Sequence, residues 1–588
     1  MRKTKNYMVQ TLFAILLSLT FLPTPAAAGA TPASKYPVGR VSDLFTLREN
    51  AVDPIEYLNQ GWSDEIRQKF YFTSQGSYLF PYSWFRALEL ADDTALFAAP
   101  QNLAKYGWIF SKPGALNPDD LPIGFAIEKA EMPGAGKWLG ITCAACHTAN
   151  VKYRNVLIRV DGAPTMADFG LFLDELSRTM LANHPAVNLV KFKRFATRVI
   201  GAGATEAQIT NLKNLYLAYS VRFSGRAWMR TPPTHAGPGR VDALTQITNS
   251  LAVFDLGVPD NLHPPAAPTS YPFLWLTPRL DWVQWNPIAG NPIARNAGEV
   301  LGVFGEVNLG QDPAAKYTSS IDFRNLHVLE EWVAVLKPPK WPEQHLPAIV
   351  EAKWKAGKTL FDKNCRACHN MPPFDLTKKE DNIAGKQFIK IKRVPQEVIG
   401  TDPLYVQGIL GRFVNTDQLA PDFGGAPIVP ALQFFTSTVG RAVERGFKDM
   451  NLTPAEVLAY SGYRFYPKVS PADPNEKLRP YTPPSLSDLK GGPLLGIWAT
   501  GPFLHNGSVP NLYQLLSAPE QRDKVFWVGD NELDVDNLGF TSIEKPGLFR
   551  FDTNVPGNRN SGHAYPTQPY THDEKMSVIE YLKDPERF

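Results

Sequence analysis

Cys143-Ala144-Ala145-Cys146-His147 and Cys365-Arg366-Ala367-Cys368-His369 are the two stretches on which the reading of this chain turns. Both have the form Cys-x-x-Cys-His, and together they use all 4 cysteines of the 588-residue sequence. The spacing suits covalent haem c: the two thiols add to the two vinyl groups, and the adjacent histidine reaches the iron from one face. A thioredoxin-like Cys-x-x-Cys would need a strand before it and a helix after it. A zinc finger would need its second ligand pair close by, whereas residue 365 lies 222 positions beyond residue 143. Disulfides would leave the histidine after each pair without a reason. The motifs therefore predict two covalently bound haem c groups, held by Cys143, Cys146 and His147 and by Cys365, Cys368 and His369.

Composition sets the frame around these motifs. The chain is 44% hydrophobic and 20% charged, as expected of a folding protein rather than a disordered one. Its length points to two domains or more. With 52 prolines and 43 glycines, many ordered loops are expected, and long coiled coils are not. Lys and Arg number 60 against 57 Asp and Glu. Three of the bases are Arg2, Lys3 and Lys5, so a chain that has lost its N-terminus carries no net charge. Neutrality gives no electrostatic case for nucleic acid or an anionic membrane.

Those first residues have the three parts of a secretory signal: a basic start, the apolar run Leu12-Phe13-Ala14-Ile15-Leu16-Leu17, and Ala26-Ala27-Ala28 after a proline. The run is shorter than the roughly 20 residues a bilayer span needs. The alternative is an uncleaved anchor. A cleaved signal over 1–28 predicts a periplasmic or secreted protein with no membrane span.

The rest of the chain reads as mainly α: two cytochrome c-like haem domains with long ordered loops and insertions, over 29–340 and 341–588. Helical patterns cover Met166 to Leu181, about 205 to 230, about 347 to Cys365 and about 572 to 583. The last begins with Thr571-His572-Asp573-Glu574, a candidate capping box. Residues 258 to 295, rich in proline and tryptophan, read as an ordered loop layer. The prolines of Leu336-Lys337-Pro338-Pro339-Lys340-Trp341-Pro342 mark the domain boundary. No strong alternating strand pattern stands out.

Several blocks carry a resemblance. Gly357-x-x-Leu360-Phe361-x-x-x-Cys365 is similar to the approach helix of a class I cytochrome c, which implies a close approach of the last helix at Gly357, with Tyr581 as the aromatic partner. Gly496 to Leu512, containing Thr500-Gly501-Pro502-Phe503-Leu504-His505-Asn506-Gly507, resembles the Thr-x-Pro-Tyr-x-His-Asp/Asn-Gly block of the bacterial di-haem cytochrome c peroxidases. The wider group includes MauG and the rubber oxygenase RoxA. Thr234-His235-Ala236-Gly237-Pro238-Gly239-Arg240 and Pro292-Ile293-Ala294-Arg295-Asn296-Ala297-Gly298-Glu299 resemble two further blocks of that superfamily, in the same order.

The resemblance implies roles. His563 falls where the family places the distal ligand of the second haem; read without it, Gly562-His563 is a turn. Glu299 takes the place of the catalytic acid/base, which moves a proton between the two oxygens of peroxide. RoxA-like oxygenases lack an acid there. Trp285 is the tryptophan implied between the haems, with Trp282 and Trp275 as alternatives. His235 matches a distal ligand of the first haem that some peroxidases detach. Asp242, Thr500 and Pro502 sit where the family binds calcium. His505 is assigned no iron and is expected to support haem packing.

The implied activity is reduction of hydrogen peroxide at the first haem, with electrons from a small donor protein (a cytochrome c or a cupredoxin) entering through the second. Two alternatives stand beside it: an O2-using oxygenase or oxidase acting on an organic substrate, and a plain electron carrier.

Overall fold

The computed structural model describes residues 55–382, 384–464 and 487–588; the expected export signal lies outside them. The structure is 39% helical and 15% strand, and its strands form seven small sheets among the described residues. The expectation of a mainly α chain is therefore corrected: the fold is mixed α/β. Short strands hid the sheets. Val156–Asp161 is a near-continuous apolar run, which periodicity cannot tell from a buried helix segment. Phe125–Met132 does alternate, but its pairing with Gly136–Ile141 shifts register between Ile127 and Glu131. Apart from the six-residue Thr148–Tyr153, the other strands are only two to four residues long.

Two three-stranded sheets frame the N-terminal half. Phe80–Pro81, Gly136–Ile141 and Phe125–Met132 make one, with Gly136–Ile141 in the middle. In the other, Val156–Asp161 lies between Ile55–Tyr57, parallel to it, and Thr148–Tyr153, antiparallel. The first sheet is covered by three helices. Phe169–Ala182 starts where Asp168 accepts the amide of Leu171, rather than at Met166. Leu189–Ile200 follows, and Glu206–Trp228 opens on a capping box made by Thr205 and Gln208. Phe80, Trp84, Phe125, Phe172, Phe195 and Tyr216 fill the space between helices and sheet. A larger apolar cluster runs from Trp62 through Trp275, Leu326 and Trp354 to Trp498 and Leu582, so both halves of the chain contribute to one core. Within it Trp341, beside the proline break, meets Trp498 edge-on at 5.5 Å.

The loop layer over 258 to 295 contains only short regular pieces, Pro259–Asn261, Thr269–Ser270 and Thr277–Arg279, before helix Pro292–Gly302 begins. No helix among the described residues is long and apolar enough to cross a membrane.

In the C-terminal half, helix Glu351–Asn364 leads into the second cysteine motif and packs along His572–Lys583. The capping box at Thr571 and Glu574 is present. Gly357 is where the two backbones meet: a Cβ there would lie 1.8 Å from the carbonyl oxygen of Ser577. Tyr581 instead contacts Phe361 and Trp354, one turn to either side, at ring distances of 5.1 and 5.3 Å. The glycine thus admits a helix backbone, while the aromatic ring flanks it. Gly357→Ala should lower stability by about 1–3 kcal/mol, the usual cost of overpacking a dense core. A fall in the denaturant midpoint checks this; an unchanged midpoint would mean the helices separate freely.

Candidate functional site

The first motif sits at the joint between the two framing sheets. Gly136–Ile141 runs into the one-turn helix Cys143–Cys146, and Thr148–Tyr153 leaves it for the other sheet. A strand rather than a long helix follows the cysteines, unlike a thioredoxin. His147 donates from Nδ1 to the carbonyl of Pro272 at 2.8 Å. That bond fixes the tautomer and leaves Nε2 free to ligate, the usual outer-shell arrangement of a metal-bound imidazole. Burial pushes the pKa of His147 down to about 4, keeping the ring in its neutral, ligating form. None of the four cysteines is in a disulfide.

Cys143, Cys146 and His147 open onto a cavity of about 1470 Å³, larger than the roughly 300–1,000 Å³ of ordinary ligand pockets. Among its described lining residues His147 is the single histidine, and there is no methionine. Glu299, on helix Pro292–Gly302, also lines it. Gln284 donates to Glu299 Oε1 at 3.1 Å, and Arg295 Nε lies 4.0 Å from the same oxygen. The side chain is 41% exposed because the cavity is open to it, yet protein atoms surround it. Burial raises its pKa above the ordinary carboxylate value, with Arg295 and Gln284 opposing. Trp285 lines the same cavity and donates from Nε1 to Ser270 O at 2.8 Å. Its own carbonyl accepts the amide of Lys490 at 2.8 Å. Of the two alternatives, Trp275 is fully buried outside the lining, donating to Leu495 O, whereas Trp282 lines the same cavity as Trp285 and lies under the guanidinium of Arg393.

At the second motif Cys365 ends its helix, donating its amide to Phe361 O. His369 repeats the first site's geometry, with Nδ1 donating to Gly492 O at 2.9 Å. Neighbouring Gly491 must be glycine, since a Cβ would sit 2.6 Å from Cys368 O. Facing His369 is His563, the ring centroids 6.3 Å apart and the planes at 52°. The gap fits a haem iron. With metal–imidazole bonds of about 2 Å and each ring centre roughly 1 Å beyond, two axial histidines stand about 6 Å apart. His563 Nδ1 is buried without a hydrogen-bond partner, and burial pushes the ring's pKa down to about 3.

Sequence reasoning missed what holds His563 in place. Its amide donates to Ile399 O at 2.7 Å. Arg522 donates to the carbonyls of Asn560, Gly562 and His563 at 2.7, 2.8 and 3.1 Å, and to those of Leu515 and Ser517. No local motif marks Arg522, because its partners lie in separate loops.

Two expected groupings are not assembled. His235 lies outside the cavity lining: its Nε2 meets Asp168 Oδ1 at 3.1 Å, and its ring packs on Phe549. Asp242 spends its two oxygens on the amides of Thr245 and Ala267, and its pKa is pushed up to about 6 by burial. Thr500 donates to Ile497 O, and Thr500 and Pro502 line a narrow crevice with Arg240 rather than with Asp242. His505 is buried beside Tyr405 and faces no iron ligand.

Comparison with known proteins adds three findings. A family model described as RoxA-like, cytochrome c-like matches residues 490–527, the segment that includes Gly492, His505 and Arg522. Such a segment implies haem c and a cytochrome-type oxidoreductase. The uncharacterised protein y4iJ of Sinorhizobium fredii is 31% identical, over 97% of this chain and 98% of its own length. A second uncharacterised protein of that organism, y4iM, is 23% identical over 60% of this chain and 72% of its own length.

Arg522→Ala should free the loop that carries His563. Faster amide exchange at residues 560–563, with a loss of about 1–3 kcal/mol for the buried charged hydrogen bonds, is the expected result. Unchanged exchange would show that Ile399 alone suffices.

Proposed function

The chain belongs to the family of the Sinorhizobium fredii protein y4iJ, and from that premise we propose that it is an exported di-haem c-type oxidoreductase that reduces hydrogen peroxide. One observation carries the reading. Glu299 opens onto the cavity of Cys143, Cys146 and His147, whose described lining offers no second histidine and no methionine. Haem c, bound through each cysteine pair and its histidine, supplies a redox iron at which peroxide is reduced.

The protein's own groups have separate tasks in this reading. His147, oriented by Pro272 O, would hold the iron, and the cavity beside it has room for peroxide. Glu299 takes a proton from one oxygen of peroxide and returns it to the other, so that water can leave. Its raised pKa suits that exchange, and Arg295 and Gln284 hold it in place. Two electrons and two further protons complete the conversion to two waters. The electrons come from a small donor protein, a cytochrome c or a cupredoxin, docking near the second motif. There His369 and His563 would both hold the iron, an arrangement suited to electron transfer. Trp285, joined by its carbonyl to the amide of Lys490, is the residue this reading assigns to relay electrons between the motifs.

A second reading, oxidation of an apolar organic molecule with O2, is favoured by the size of the cavity. Its walls also carry Leu244, Ile247, Phe423, Leu432, Phe435 and Val439, more apolar surface than peroxide needs.

Glu299→Gln should abolish peroxide consumption with a reduced cytochrome donor while leaving the resting haem spectrum unchanged. Peroxide turnover that survives the substitution removes Glu299 from the mechanism. Turnover that needs O2 and no external reductant establishes the second reading instead. His563→Gly should convert one haem from low to high spin in the optical spectrum; an unchanged low-spin signal would sink that ligand assignment.

A further inference from the structure

Three cationic side chains line the cavity: Arg295, Arg441 and Lys490. Two of them have carboxylate partners. Arg295 meets Glu330 at 2.5 Å, and Arg441 stands 4.0 Å from the Asp422 carboxylate and donates to its carbonyl at 2.6 Å. The cavity's Glu299 and Asp422 are likewise engaged, the former by Gln284 and Arg295, the latter also by Lys316, while Glu444 lines the cavity without an ion pair to Lys490. Lys490 differs: no described carboxylate lies within ion-pair distance of its ammonium. That ammonium stands 5.8 Å from the centre of the Trp285 ring, near the outer limit of a cation–π contact. Arg295 adds like-charge repulsion, and burial pushes the lysine's pKa down to about 8. A half-buried ammonium facing the cavity without a counter-charge carries a desolvation cost, so this position calls for an anion inside the cavity.

Haem brings two propionates. We propose that Lys490 anchors a propionate of the haem bound at Cys143 and Cys146, and so ties that haem's carboxylate edge to the strand that orients the second haem's histidine. The inference rests on the reading that a haem is attached there. Three features support it. The ammonium faces the cavity that holds the attachment residues. Its backbone amide is fixed to Trp285 O at 2.8 Å, which limits where the side chain can reach. Strand Asp488–Gly491 leads directly to Gly492, the carbonyl partner of His369. One short segment thus touches both sites, through a charge at one and a backbone oxygen at the other.

A cation beside a propionate stabilises the reduced haem, whose net charge is more negative, over the oxidised form. Removing it should lower the midpoint potential of the first haem. The test uses the full-length holoprotein in spectroelectrochemical titration, after peptide mass mapping of the cysteine motifs. A haem-free Cys143–Cys146 peptide overturns both the anchor and the reading beneath it. With haem in place, Lys490→Met should move the first haem's potential downward and leave the second haem's unmoved, and Lys490→Arg should restore the wild-type value. An unmoved first-haem potential in Lys490→Met overturns the anchor alone. Should that variant not fold, a crystal structure of the wild-type holoprotein decides. Lys490 Nζ about 3 Å from a propionate oxygen is expected, and a separation beyond about 5 Å refutes the anchor.

Discussion

The hydrogen bond from His369 Nδ1 to Gly492 O sets the geometry of everything around the second motif. It fixes a tautomer and an orientation, and places the ring against His563. It can form only because Gly491 lets its strand lie against Cys368 O. The same strand pairs antiparallel with Lys392–Pro395 and sends the amide of Lys490 to Trp285 O. A side chain at position 491 would push the strand off the motif, and both the histidine and the tryptophan would lose their partner.

A chain so rich in proline has a donor shortage, because each proline keeps its carbonyl and lacks an N–H. Buried arginines make up for it. Arg522 donates to six backbone carbonyls, and Arg464 binds those of Gly290, Pro278 and Leu280. Arg412 joins Asn261 O and Asn249 Oδ1, while Arg240 reaches Asn506 O and Asn558 Oδ1. A guanidinium has five donors in a fixed fork and stays charged under almost any burial. Burial pulls Arg240, Arg412 and Arg522 down to about 9, 10 and 10, values that still leave them cationic at neutral pH. Loops without helix or sheet ladders are thus held by charged hydrogen bonds from elsewhere in the chain.

This explains which parts were legible in the sequence. The cysteine motifs, the capping box at Thr571 and the glycine of the approach helix are local signals, since the residues that matter sit within one or two turns of each other. Helix Glu206–Trp228 was readable for the same reason. The sheets were not, because Val156–Asp161 reads as a near-continuous apolar run and most other strands are too short to show a period. Arg522 and Lys490 carry no local pattern at all, their partners being 5 to 41 residues away for one and some 205 away for the other. The residues of the calcium pattern likewise have partners that the pattern does not show: one oxygen of Asp242 caps its own helix and the other accepts the amide of Ala267.

The two motifs are nearly identical up to the histidine. Each ring donates from Nδ1 to a carbonyl, at 2.8 Å in one and 2.9 Å in the other, and each is pushed towards neutrality by burial. Whatever separates their chemistry must therefore lie on the opposite wall. In one case that wall is His563, held by Arg522 and Ile399. In the other it is a wide cavity bearing a carboxylate, a tryptophan and an unpaired ammonium. Five residues can specify attachment, but what faces each histidine comes largely from segments well over a hundred residues away in the chain, which is why the motif alone identifies a cofactor and not a reaction.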